Sequence, residues 1–346
     1  MKQVYLDNAA TTAIRPEVIE RITKVMRESY GNASSTHSFG RSSKALLEQC
    51  RKNIASYFNV SASEIVFTSG GTEADNLALR SAVRDLGYDE IITSKIEHHA
   101  VLHTAEQLQK EYNVKITYVD LNDCGLIDYS HLEQLLQKSN KAVVSLMHIN
   151  NEVGNILDLE RVATLCKANN ALFHTDTVQS VGHYKIDLQN IPLDFLAASA
   201  HKFHGPKGVG MDEALKIAYS NLEEDKTYVS DLKDYFIQQL KSVLPEASFN
   251  GSCSDKTNST YTLVNVCLPI APAKAAMLQF QLDLKGIACS RGSACQSGSN
   301  QQSHVLTEIL TEDKLKRPSI RFSFSIYNTK EELDYVIKTL NEFVNS

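Results

Sequence analysis

Missing from this sequence are the features that would assign it to several broad classes. No apolar run approaches the roughly 20 residues that a membrane-spanning helix needs, and the opening MKQVYLDNAATT has no apolar signal-peptide core. A soluble, cytoplasmic protein that does not engage a membrane is expected. The seven cysteines, at positions 50, 124, 166, 253, 267, 289 and 295, are odd in number and contain no CxxC pair. This argues against a disulfide framework or a zinc ribbon and for a reducing compartment. Lysines and arginines are scattered, and a net charge of −6 offers no basic field to nucleic acid. Internal repeats and low-complexity tracts are also lacking. What remains is an ordinary globular composition in a chain of 346 residues, long enough for two domains.

Between about residues 60 and 200, short β-branched runs alternate with segments of helical periodicity. The runs are EIVFTS (64–69), EIITS (90–94), VKITYVD (114–120), AVVSLMH (142–148), ALFHTD (171–176) and DFLAASA (194–200). Such a β-α series predicts a mainly parallel sheet covered by helices, with ligands bound at the carboxyl ends of the strands. After residue 210 the pattern predicts one long helical stretch, MDEALKIAYSNLEEDKTYVSDLKDYFIQQLKSVL, then strand-like STYTLVNVCLP and a closing strand and helix, a smaller α/β domain. GPKGVG (205–210) runs straight into this helix, where a strand would ordinarily intervene.

The strand ends carry the chemistry. In SGGTEADN (69–76), the amides of Gly71 and Thr72 and the Thr72 hydroxyl open a helix and suit an anion such as phosphate; an ordinary helix cap is the plainer reading. SAHKFHGPKGVG (199–210) puts Ser199, His201 and Lys202 after a strand, where a lysine is either a desolvated amine fit for Schiff-base chemistry or a solvated surface group. In HTDTVQS, Asp176 can pair with a protonated pyridine nitrogen and Gln179 can bond a phenolic oxygen, or Asp176 can cap the next helix. His98 in EHHAVLH can stack on a ring or move protons. Around Cys295 the chain is rich in glycine and serine, and Arg291 is close in sequence, a setting for a reactive thiolate. A metal held by Cys289, Cys295 and His304 has too few ligands and no standard spacing, so no metal is expected.

Taken together, YLDNAATT, GNASSTHSFG, FTSGGTEADN, EHHAVL, MHINNEVG, DTVQS, SAHKFHGPKGVG, GSACQS and SIRFS resemble, nearly end to end, the fold-type I pyridoxal-phosphate enzymes of the class V aminotransferase group, specifically the cysteine desulfurases of the NifS/IscS type. The resemblance implies a large domain (13–222) built on a mainly parallel seven-stranded sheet and a small domain (223–346, with 1–12). It implies that pyridoxal 5'-phosphate is held by Lys202 as a Schiff base, with Asp176 on the pyridine nitrogen, Gln179 on the ring oxygen and His98 stacked on the ring. Gly71, Thr72, Ser199 and His201 would hold the phosphate, and Asn151 and Arg321 the substrate carboxylate. Cys295 would take sulfur from L-cysteine as a persulfide, release L-alanine and serve iron–sulfur cluster assembly or another sulfur pathway through an acceptor protein. A homodimer is implied as well.

The sequence departs from that pattern at Ala33, Ala200 and Arg291, and more seriously after Gly210. There the resemblance calls for a few dozen further residues, including a glycine-rich segment that lends a threonine to the partner subunit's phosphate site. Either the sequence is incomplete there, the reading favoured by the abrupt junction, or the gene carries a true deletion. Two other functions stay open at this point: a selenocysteine or cysteine-sulfinate lyase of the same fold, and an inactive scaffold if the deletion is real.

Overall fold

A computed structural model describes residues 2–206, 210–253, 255–291 and 302–345. The chain opens with a two-residue strand, β1 (Val4–Tyr5), and two helices, α1 (Pro16–Glu28) and α2 (Ser38–Phe58). Pro16 starts α1 with its backbone already set for a helix, and Asn59 closes α2 in the left-handed region at φ 55°. A β-α series follows: α3 (Gly71–Arg80), β2 (Glu90–Thr93), α4 (His99–Tyr112), β3 (Lys115–Tyr118), α5 (Tyr129–Lys138), β4 (Ala142–Ser145), α6 (Leu159–Ala168), β5 (Leu172–Asp176) and β6 (Phe195–Ala197).

The strands β3-β2-β4-β5-β6, in that spatial order, form one parallel sheet. Every residue of β2 and β4 is buried, as the unbroken apolar and β-branched runs in EIIT and AVVS require of strands covered on both faces. Alternate residues face opposite helix layers. Ile92, Val144 and Phe173 pack with Val18, Phe58, Leu132 and Val162 on one side; Ile91 and Val143 pack with Leu79, Val101 and Leu108 on the other.

Next come α7 (Met211–Ser220), α8 (Leu222–Val243), β7 (Ser248–Asn250), β8 (Leu263–Cys267), α9 (Pro272–Leu284), β9 (Ile287–Ala288), α10 (His304–Ile309), α11 (Glu312–Leu315), β10 (Ser319–Ser323) and α12 (Lys330–Asn345). Strands β10-β8-β7 form an antiparallel sheet, and β1 pairs with β9 in parallel. Val4 and Leu6 join Leu232, Phe236, Val266, Phe322 and Leu340 in a core of their own. The N-terminal segment is thus packed with the C-terminal third of the chain.

Three expectations are corrected. The parallel sheet has five strands among the described residues, not seven. EIVFTS does not form a strand: a short 3-10 turn ends at Glu64, and the chain then runs extended through Ile65 and pairs with no strand among the described residues. No strand separates β6 from α7 among the described residues, so the sheet ends at β6. The long helical stretch after residue 210 is also two helices. Asn221 leaves the helical region at φ −105°, ψ 8°, and Leu222 becomes buried as the chain turns.

Candidate active site

The polar residues singled out at strand ends converge at the carboxyl edge of the parallel sheet, where such sheets bind ligands. After β6 a single 3-10 turn, Ala200–Lys202, projects Lys202 toward the N-terminal segment. Its Nζ donates to the carbonyls of Ala9, at 2.6 Å, and Ala10, at 2.9 Å, and its own carbonyl accepts from His183 Nε2 at 3.0 Å. Gln179 Nε2 donates to the same Ala9 carbonyl at 2.9 Å. Two side chains from different strand ends therefore meet on one backbone oxygen. His201 turns the same way, its Nδ1 3.2 Å from the Thr11 hydroxyl.

Asp176, the last residue of β5, is buried, and its Oδ1 accepts from the Val178 amide at 2.9 Å. Burial and the nearby Asp75 push its carboxyl up to about 7, against smaller opposing effects of the Val178 amide, His174 and Lys202. Behind it lies a pair that sequence reasoning missed. His174, two residues earlier on β5 and so on the same face, has Nε2 3.4 Å from Asp75 Oδ1, while its Nδ1 lies 2.8 Å from the Ser145 hydroxyl. Burial pushes Asp75 up to about 8 and His174 down to about 4, so both are uncharged at neutral pH. Glu97 is also fully buried, with its oxygens bonded to the Ser94 hydroxyl at 2.7 Å and the Met147 amide at 2.8 Å, and burial raises its pKa.

His98 caps α4: its Nδ1 accepts from the Ala100 amide at 3.1 Å. Burial, helped by the positive charge of Lys202, pushes its imidazole down to about 4, so the ring is neutral. Gly71 begins α3 with its amide at the helix N-terminus. A Cβ on Gly71 would stand 2.7 Å from Val178 Cγ2 and 3.8 Å from Ser199 Cβ, which places Ser199 beside this helix end and reserves the space for backbone. Thr72 is exposed one residue further on.

Arg321, on β10, is buried, with Nη2 2.7 Å from Asp7 Oδ1 and Nη1 donating to the Asn151 carbonyl at 2.7 Å; its Nε is buried without a partner among the described residues. Asn151 thus meets Arg321 through its backbone, and Asp7 already engages one arm of the guanidinium fork. Cys295 lies outside the described residues. Cys289, earlier in the sequence, is buried, and its thiol is pushed up to about 12 by burial, the state of an inert cysteine.

The missed groups, Asp7, the Ala9 and Ala10 carbonyls, Asp75 and His174, had signals of two kinds. Asp75 and His174 sit inside motifs that had been read only for their neighbours. The N-terminal groups had only the run YLDNAATT, with no local cue to their partners.

Comparison with known proteins adds the following. The family model for class V aminotransferases matches residues 4–212 and 209–336. The cysteine desulfurase IscS of Dictyoglomus turgidum is 34% identical over 380 aligned positions, covering 99% of this chain and 95% of that protein. A putative cysteine desulfurase, IscS 1 of Bacillus subtilis, is 36% identical over 383 positions, covering 99% of each. A solved NifS-like protein superposes with a TM-score of 0.88 at 30% identity, covering 99% of this chain and all of its own. Alignments longer than the chain's 346 residues mean that these relatives carry residues with no counterpart here, and the two stretches of the family match meet at residues 209–212.

Proposed function

The chain belongs to the class V aminotransferase family, and from that premise we propose that the cluster at the carboxyl ends of β2, β5 and β6 is the pyridoxal 5'-phosphate site of a cysteine desulfurase. The observation that carries the reading is the buried carboxyl of Asp176, raised to about 7 and set at a strand end where a cationic ring nitrogen would restore its charge. The donor set suits the rest of such a cofactor. Lys202 offers an amine for its aldehyde, Gln179 an amide for its ring oxygen, and the α3 N-terminus at Gly71 and Thr72, with Ser199, a cradle for its phosphate. His201 would stand on the same side.

Bound there, pyridoxal phosphate supplies an electron sink for the α-carbon of an amino acid. The remaining work falls to the chain. Asp176 would pair with the protonated ring nitrogen, and the buried Asp75–His174 pair would stand behind it. His98, a neutral imidazole, would stack on the ring and is able to accept a proton. Lys202, released from its resting bonds to Ala9 and Ala10, takes the α-proton of the substrate. Arg321 grips the substrate carboxylate through the arms not taken by Asp7, with Asn151 beside it. The Cys295 thiolate attacks the sulfur of L-cysteine, the carbon–sulfur bond breaks, and the sulfur stays on Cys295 as a persulfide while L-alanine leaves.

The persulfide sulfur passes to an acceptor protein, with iron–sulfur cluster assembly as the expected use. The enzyme works in the cytoplasm as a homodimer. The test is to incubate the purified protein with pyridoxal phosphate, reduce with borohydride and map the modified peptide. Modification of Lys202, together with alanine formed from L-cysteine by the wild type and not by Cys295→Ser, is expected. Modification at another lysine, or undiminished sulfur release by Cys295→Ser, would overturn the assignment.

A further inference from the structure

Strand β6 ends the parallel sheet but lacks the features of an exposed edge. Natural edges carry charge, bulges or cover that discourage further pairing. The opposite edge, β3, has them: it reads KITY, is exposed at both ends, and its Lys115 pairs with Glu90 at 2.7 Å. By contrast β6 reads FLA, with no charged or polar side chain. Beside it lies a groove of about 510 Å3 that is also lined by the segment 65–68. Among the described residues, the backbones of Val66 and Phe67 form no hydrogen bond, and their side chains are 66% and 44% exposed. Two unpaired stretches of backbone thus border one apolar slot, whose walls also include Ile54, Phe58, Phe195 and Leu196.

The charged side chains that line this slot are acidic, while Arg51 packs on the Phe67 ring and bonds the Ile65 carbonyl at its border. Glu64, Asp194 and Asp212 line it, and no lysine, arginine or histidine does so among the described residues. Asp212 Oδ1 is buried with no hydrogen-bond partner among the described residues, while the other oxygen of this carboxylate accepts from Asn53 Nδ2 at 3.2 Å, so the group has room for a further donor. Gly210, Met211 and Asp212 line the same slot, and these are residues at which the two stretches of the family match join.

We propose that this groove accepts a β-strand in trans. Its occupant is an extended segment of another protein, apolar on the face it buries and bearing a lysine or arginine beside the apolar run. Such a strand satisfies backbone groups on both borders, covers Val66 and Phe67, and brings a cation to Asp212. Main-chain pairing supplies affinity, and the apolar walls and acidic groups supply specificity. Gly70, Ser199 and Ala200 also line the groove, so an occupant bears on the candidate phosphate cradle. That consequence rests on the proposed function, whereas strand binding does not.

The experiment starts from the intact mass of the purified protein: 38.5 kDa is expected, and a larger mass, which would put residues of the chain itself beside Gly210, would overturn the proposal. The probe is a fluorescent synthetic peptide of about eight residues, alternating valine and threonine with lysine at each end; a second has glutamate at the ends. Saturable binding of the lysine-ended peptide is expected, about tenfold weaker for the glutamate-ended one. Hydrogen exchange should slow on binding at residues 66–68 and 195–197. Val66→Asp, at an exposed position that tolerates a charge when empty, should weaken binding by about tenfold or more. The absence of saturable binding, indifference to Val66→Asp, or binding without protection of those amides would overturn the proposal. So would amides already protected in the free protein together with dimer mass in sedimentation, which would give the groove to a second copy. No readout here depends on cofactor or turnover, so failure of this proposal is distinguishable from failure of the functional one.

Discussion

The two ends of the candidate cofactor site are built to different standards. At the ring end, Asp176 is buried, fixed by the Val178 amide and backed by Asp75, His174 and Ser145, all of them buried. At the phosphate end, the α3 N-terminus has an exposed Thr72 and borders the open groove beside β6. Under the proposed function the contrast means that the ring would be oriented inside the large core, while the phosphate would be held at the part of the fold where the sheet stops short. Binding energy is then expected to concentrate at the ring end.

The sharpest way to break this comparison is Asp176→Ala. Leaving a cationic ring nitrogen buried without its partner costs about 3–5 kcal/mol, so pyridoxal phosphate affinity, read by fluorescence titration, should fall by roughly 100-fold or more. A larger loss from Ser199→Ala would invert the comparison.

Next in size is a pH effect in the cofactor-free protein. Asp75 keeps its proton when folded up to about pH 8, whereas the unfolded chain releases it near the ordinary value of 3.8. Between these values this group by itself makes the fold less stable as pH rises, by up to ~1.4 kcal/mol per pH unit, a contribution that Asp75→Asn lacks. In urea unfolding, the advantage of Asp75→Asn over wild type should therefore grow by about 3 kcal/mol from pH 5 to pH 7. No growth in that difference would mean that Asp75 is ionised in the fold.

A third change sharpens the phosphate side. Gly71→Ala puts a Cβ 2.7 Å from Val178 Cγ2, and the overpacking should lower the unfolding free energy by about 1–3 kcal/mol. The smallest effect expected is that of Ser199→Ala. Loss of one phosphate hydrogen bond of about 1 kcal/mol should weaken cofactor binding roughly fivefold, with little change in melting temperature.

Most of the strand-end residues were legible because they stand at or just after short apolar runs, and a parallel sheet carries such residues to one edge. The pairing of 65–68 was not legible in the same way. EIVFT has strand composition, yet strand formation needs a neighbour, and no local pattern reveals that β6 has none on that side. The bonds from Lys202 and Gln179 to Ala9, and from Arg321 to Asp7, were hidden for a related reason. They join residues far apart in sequence, and a carbonyl acceptor carries no side-chain signature at all. The break at Asn221 was masked by apolar spacing that carries on across it.

The N-terminal segment also bears on how the molecule is made. Asp7 and Arg321 are separated by 314 positions, and β1 waits for β9, near residue 287, before it has a partner. During synthesis the opening residues leave the ribosome long before either partner exists, while the parallel sheet between them is able to fold as a unit. The Ala9 and Ala10 carbonyls that receive Lys202 are therefore set in place late, after β10 has emerged. A nascent chain halted before residue 319 would hold a folded sheet with an unfinished site, which makes acquisition of a working centre one of the last events in the life of the new polypeptide.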